Sequence, residues 1–171
     1  MARFLLPWLL SVSIFLCGCA PKDPLDRKVK AGTPAEFARW WDRTREKLPD
    51  AQRAEVFKVI RYLQDSTPRL KAMRAEDHYD PLCKKIDGIS IRRLLVLGYE
   101  NSNDNLQSRI LLETGKLPQL VTAVSEADDP VRREYTDSVL RYTRERIDDW
   151  KATRAENDRR IAELTPNAAQ P

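Results

Sequence analysis

Thr33-Pro34-Ala35-Glu36 opens the stretch that decides the fold, which continues as FARWWDRTREKLPDAQRAEVFKVIRYLQD to residue 65. Threonine at the N-cap, proline at the first helical position and glutamate at the third form a capping box. Phe37, Trp40, Trp41 and Leu48 follow at helical spacing, and Leu48-Pro49 ends the element, because the residue before a proline is pushed out of the helical region. A second helix from about Asp50 to Gln64 carries Val56, Phe57, Val59, Ile60 and Leu63, a face wide enough for the centre of a core. Each such side chain, fully buried, stabilises by roughly 1.5–3 kcal/mol. Trp40 and Trp41 are adjacent and cannot both face one core, so one is buried and the other partly so.

Further helices follow on the C-terminal side. Asp65-Ser66-Thr67-Pro68 resets the cap for a shorter helix with Leu70 and Met73. Residues 76–81 read as irregular, and Leu82 and Ile86 as one or two more turns closed by Asp87-Gly88. Ser90 caps a helix bearing Ile91, Leu94, Leu95, Leu97 and Tyr99, and Asn101 to Asn105 reads as a turn. Leu106, Ile110 and Leu111 form the next helix, which Gly115 stops, and Pro118 to Glu126 supplies a short one. Asp129-Pro130 starts a last helix toward Leu164, with Val131, Tyr135, Val139 and Tyr142 as a core stripe in its first half. Its second half is nearly all charge. There Ile147, Trp150, Ile161 and Leu164 recur at a and d spacing, with Arg154 and Asn157 between them. The expectation is an all-α fold, a small irregular helical bundle over 33–150 with a long, charged C-terminal helix. Residues 151–171 would form the projecting end of that helix and a frayed tail. Ile147, Trp150, Ile161 and Leu164 are then the candidate partner-binding surface.

Composition agrees with one soluble helical unit: 42% apolar and 33% charged residues, with only 5 glycines in 171 positions. The 30 basic residues are interleaved with 26 acidic ones, so the net charge of +4 is spread out and is not the clustered footprint of a nucleic-acid binder.

The N-terminus carries the most specific signal. Met1-Ala2-Arg3 is a short basic start, and Phe4 to Leu16 is an apolar run too short to span a bilayer but of signal-peptide length. It ends in Leu16-Cys17-Gly18-Cys19, which resembles a bacterial lipobox. Gly18 supplies the small residue required before the modified cysteine, whereas Cys17 would be preceded by Leu16, so Cys19 is the lipidation site. The resemblance implies removal of residues 1–18, a diacylglycerol thioether on Cys19 and, usually, an acylated amine. Several chains give stable anchoring where one gives only marginal binding. Ala20 in place of aspartate favours the periplasmic face of the outer membrane. Residues 19–32, with prolines and no apolar periodicity, read as the lipidated cysteine and a flexible tether.

Leu48-Pro49 with Arg53, and later Ile86-Asp87-Gly88-Ile89-Ser90 before Leu94-Leu95, resemble an uncharacterised family of small helical bacterial lipoproteins. The match spans about Thr33 to Tyr99 and implies fold and address only.

Chemistry-bearing residues are sparse. Asp77, His78 and Asp80 are the densest set of possible metal ligands, but one histidine falls short of the four ligands a structural zinc site normally takes. Cys83, between Leu82 and Ile86, reads as a buried small hydrophobe, and His78 five residues away is off its helical face. Asn101, Asn103 and Asn105 mimic a calcium loop that then lacks its glycine and its closing glutamate. Asp128-Asp129 and Asp148-Asp149 read as a helix cap and an exposed face, and Arg132, Arg133, Arg141, Arg144 and Arg146 as solvated cations broken up by acids. No cofactor is implied. The sequence points to a membrane-tethered, non-enzymatic interaction or structural module acting on a protein partner in the periplasm. A helical carrier of a lipid or small apolar ligand, or a hydrolase using carboxylates alone, are the alternatives.

Overall fold

The computed structural model describes residues 23–65 and 75–165, with side chains over 23–64 and 81–165. It is all-α: α1 (Pro34–Arg45), α2 (Asp50–Asp65), α3 (Ala75–Ile86), α4 (Ile91–Ser125) and α5 (Pro130–Leu164). The expected caps are formed. The Glu36 amide donates to Thr33 Oγ1 at 3.2 Å, the Arg93 amide to Ser90 Oγ at 3.2 Å and the Val131 amide to Asp129 Oδ1 at 3.2 Å. Val56, Val59, Ile60 and Leu63 of α2 meet Ile91, Leu94, Leu95 and Tyr99 of α4 in one core. Trp40 is buried and stacks on Phe37, while Trp41 is half-buried against the same cluster. Phe57, expected in the core, is 56% exposed on the outer side of α2.

Four expectations are corrected. First, residues 23–32 are not a tether. Leu25, Val29 and Ala31 are buried, and the segment runs antiparallel to the turn after α3. The Val29 amide donates to the Ile89 carbonyl (2.8 Å), Gly88 to Val29 (3.0 Å) and Ile91 to Arg27 (2.9 Å). Gly88 sits at φ 74°, a left-handed conformation that glycine adopts without a Cβ penalty. Second, residues 76–81 are helical within α3, with Pro81 inside it. The helix after Asp65, with Leu70 and Met73, lies outside the described residues.

Third, α4 is a single helix of 35 residues, about 52 Å long at 1.5 Å per residue. It passes through Asn101–Asn105, Gly115 and Pro118 without a break. Two of the three asparagines are engaged across helices, Asn101 Nδ2 donating to the Tyr62 carbonyl at 2.9 Å and Asn103 Nδ2 to Asp158 Oδ1 at 2.6 Å, while Asn105 Nδ2 donates back to the Asn101 carbonyl within α4 at 3.3 Å. Fourth, α5 folds back along α4 over its whole length, so residues 151–164 are not a projecting end. Leu164 is buried in the core cluster and Ile161 packs against it. The segment that projects is the opposite end of the hairpin. From Leu111 to Val139, Ala127 in the connection is the one buried residue. Val131, Tyr135 and Tyr142 are therefore outside the core, at 74%, 71% and 60% exposure.

The crossing of α2 and α4 is tight at Gly98, where an added Cβ would lie 2.2 Å from Val59 Cγ1. Gly98→Ala forces the two helices apart, and the expected cost is about 1–3 kcal/mol, read as a lower urea midpoint at unchanged slope. In the Gly98→Ala/Val59→Ala double variant the two costs should fall short of their sum, since the second change removes the clash.

Candidate functional site

Two clefts and one projecting surface are candidates, and each follows from how α4 is held. Where α5 returns to the core, Arg160 grips Glu55 of α2 with two hydrogen bonds, Nε to Oε1 at 2.6 Å and Nη2 to Oε2 at 2.8 Å. Tyr99 of α4 donates its hydroxyl to the same Glu55 Oε1 at 2.9 Å. Three helices thus meet at one carboxylate. Burial pushes the Glu55 carboxyl up, but the hydrogen bonds from Arg160 and Tyr99 outweigh it and hold Glu55 below its ordinary value. Burial, and then the charge and hydrogen bond of Glu55, push the Tyr99 phenol far above its ordinary value. An open cleft of about 300 Å³ lies beside this cluster, rimmed by Lys58, Glu156, Arg159 and Glu163. A carboxylate held ionised by a bidentate guanidinium cannot serve as a general acid, so the cleft reads as a latch between helices.

A larger open cleft of about 550 Å³ lies along α1, with Trp40 and the cations Lys30, Arg39 and Arg43 on its wall, together with Glu36 and Asp87. The two carboxylates share this space, the convergence a carboxylate hydrolase would need. Asp87 is already engaged, however: its Oδ1 accepts the Ala31 amide at 2.6 Å, and the Trp40 indole donates to the Lys28 carbonyl at 3.0 Å. Both contacts fix the N-terminal segment. The Asp87-Gly88-Ile89-Ser90 turn therefore has a structural task, which is to seat residues 27–31 and cap α4. Charged residues line most of both clefts, which suits neither of them to an apolar ligand.

The third candidate is the α4/α5 hairpin beyond the core. Leu140, Thr143 and Ile147 are buried on the inner side of α5, Trp150 and Arg154 are half-buried, and Asn157 is 2% exposed, all at alternating steps of three and four. They face Asn103, Leu106, Ile110, Glu113, Leu117 and Leu120 of α4, which follow the same alternation. The cross-helix pairs keep one register: Asn157 Nδ2 donates to Asn103 Oδ1 (2.9 Å) and Ser102 Oγ (3.3 Å), Arg154 bonds Gln107, and Arg146 pairs with Glu113 at 3.0 Å. The Arg146 guanidinium lies 5.0 Å from the Trp150 ring centre and 5.3 Å from that of Tyr142, and Arg109 sits 6.0 Å from Trp150. On the outside Leu111, Leu112, Val121, Val131, Tyr135 and Tyr142 are exposed.

The residues expected to bind a partner are accordingly used within the chain. Ile147 and Leu164 are buried, and Trp150 and Ile161 are half-buried in the seam or against the core. Exposed aromatic and aliphatic residues lie instead in the half of α5 expected to be core and on the outer side of α4. Asp77, His78 and Asp80 lie on α3, with side chains outside the described residues. Among the described residues no three His, Cys, Asp or Glu side chains are placed to hold a metal ion. Cys19 lies outside the described residues, and Cys83 is fully buried beside Leu82 and Ile86. Glu55, Tyr99, Arg160 and the Asn103–Asn157 layer escape the sequence, because a lone glutamate, arginine or asparagine on a helix carries no signal of its distant partner.

Glu55→Gln is expected to cost about 1–3 kcal/mol near neutral pH by weakening the Arg160 clamp. The folded-state pKa of Glu55 lies below its ordinary 4.5, so the charge stabilises above that value and its contribution is lost as pH falls through the folded one. The stability gap between parent and variant, followed by urea unfolding from pH 7 to pH 3, should therefore close on the acid side. A gap that stays constant would show that the carboxylate charge is not its source.

No family model, no curated protein and no solved structure matches this chain.

Proposed function

We propose that this chain is a lipid-anchored periplasmic lipoprotein that works without catalysis, holding a rigid helical hairpin at a membrane surface for protein contacts. The observation that carries the reading is the hairpin itself, half of which leaves the core with aliphatic and aromatic side chains facing water. Monomeric soluble proteins seldom expose such a concentration unless it meets something. The lipobox-like Leu16-Cys17-Gly18-Cys19 supports the anchor, and its likeness to other bacterial lipoproteins supports the address. Among the described residues no helix is long and apolar enough to cross a membrane.

The docked N-terminal segment sharpens this picture. Three residues separate Cys19 from Asp23, the first described residue, so their Cα atoms are at most about 14 Å apart. A lipid on Cys19 then holds the body of the domain close against the headgroups, and the hairpin supplies the reach.

Cys19→Ser should move the protein from the membrane to the soluble periplasmic fraction and abolish labelling by a radioactive fatty acid. Equal fractionation of parent and variant, with acyl label in neither, would remove the anchor. For the hairpin, photo-crosslinkers placed at 111, 121, 135 and 142 in cells should give covalent adducts that the same probe at exposed Arg45 does not. Absence of adducts at all four positions would remove the contact surface.

A further inference from the structure

The geometry points to a second copy of this chain as the occupant of the outer face of α5, the two hairpins pairing antiparallel near their tips. This deepens the reading of the hairpin as a contact surface and rests on it, but does not depend on the lipid anchor.

α5 carries two stripes at coiled-coil spacing. The inner one, Leu140 to Leu164, is occupied by α4. The outer one is Val131, Tyr135, Ser138 and Tyr142, with steps of four, three and four, and every member is exposed. A stripe with that 3.5-residue period has the form of a helix–helix seam and here lacks its second helix. The start of α5 at Pro130 and Glu145 bound it, leaving a stripe over 12 positions, about 18 Å of helix, in which Ser138 is the one small polar member.

The pattern is complementary to itself when reversed. A twofold axis between Thr136 and Asp137 sets each Tyr135 against Ser138 of the second copy and each Val131 against Tyr142, so large faces small in every layer. The same operation brings Glu134 beside Arg141 of the second copy, twice. Glu134 forms no ion pair within the described residues, and Arg141 has Asp137 at 3.3 Å, a shared pair a second carboxylate can join. A parallel arrangement would stack Tyr135 on Tyr135 and set Glu134 beside Val139, where it meets no cation. Opposite charges flanking the seam favour the antiparallel form in the way that they select partners in coiled coils. The patch is short, so the pairing belongs to the small, transient class of interface and depends on concentration.

The full chain carrying Cys19→Ser, so that no acyl group can drive association, is followed by sedimentation velocity from about 1 to 200 µM, a span that brackets a transient interface. The weight-average mass should rise toward twice the monomer. Tyr135→Gln, at a position already in water, should leave the thermal melt unchanged and weaken pairing severalfold; adding Tyr142→Gln, which also gives up the Arg146 stacking, should lower the melt slightly and weaken pairing by about tenfold or more. Glu134→Arg and Arg141→Glu should each weaken it, and the combined swap should restore it. A chain that stays monomeric throughout overturns the inference, as does pairing unaffected by the tyrosine changes or not restored by the double swap. Binding of a monomeric chain to phosphatidylglycerol vesicles that is lost with the tyrosines would assign the stripe to a bilayer and also overturn it. Hairpin adducts to other proteins in a strictly monomeric chain would end this inference while leaving the contact surface in place.

Discussion

Everything in this molecule depends on two 35-residue helices keeping a single antiparallel register. A two-helix seam alone is weakly specified, since an apolar stripe can slide by a heptad at little cost in buried area. Polar layers prevent this. Asn157 is buried and its amide is satisfied only opposite Asn103 and Ser102, so any shift strands a polar group in a dry seam, at about 1–3 kcal/mol. A buried asparagine in a coiled coil trades stability for register, and it does so here next to the core, where the register of the whole hairpin is set. Arg160, one turn further along α5, closes on Glu55 and ties that register to α2.

Stability is therefore graded along the hairpin. Near the core, α4 is covered by α2 on one side and α5 on the other, with Ile91, Leu94 and Leu95 fully buried. Beyond Ile110 each helix has the other as its cover; the α4 positions facing α5 are half-buried, as at Leu117, Leu120 and Val124, while Leu140, Thr143 and Ile147 opposite them stay buried. Pro118 falls in this stretch, where it removes one backbone donor from the middle of α4. Cation–π stacking of Arg146 between Tyr142 and Trp150, with Glu113 closing the charge, compensates part of the missing apolar burial. Opening should begin at the 126–129 connection and spread toward the core, the order expected where local contact density falls.

The helical class, the caps at Thr33, Ser90 and Asp129 and the core face of α2 are legible in the sequence because each is a local pattern read within one or two turns. What is not legible is which face meets which. α4 looks like three helices, since Asn101–Asn105, Gly115 and Pro118 are turn formers by propensity, whereas the contacts that accompany the unbroken helix come from α2 and α5, 33 to 55 positions away. The two halves of α5 exchange roles for the same reason. Among the described residues nothing lies over the outer face of its apolar half, whereas its charged half is covered because arginine and asparagine find partners on α2 and α4. The segment at 23–32 is polar in composition, yet its three apolar residues are spaced to reach the core while its backbone pairs with the turn at 87–91. Edge pairing of that kind has no periodic signature. Of the candidate sites, the lipobox-like stretch is a local sequence pattern and the hairpin surface is not.

These facts combine at the start of α4. The turn that seats residues 27–31 also supplies Ser90, the cap of α4, and Arg92 on the first turn pairs with Asp23 at 2.6 Å and Asp26 at 3.0 Å. The first described residues are thus bolted to the helix that forms one side of the hairpin, with no hinge between them. The place of Asp23 relative to the hairpin is therefore a property of the fold.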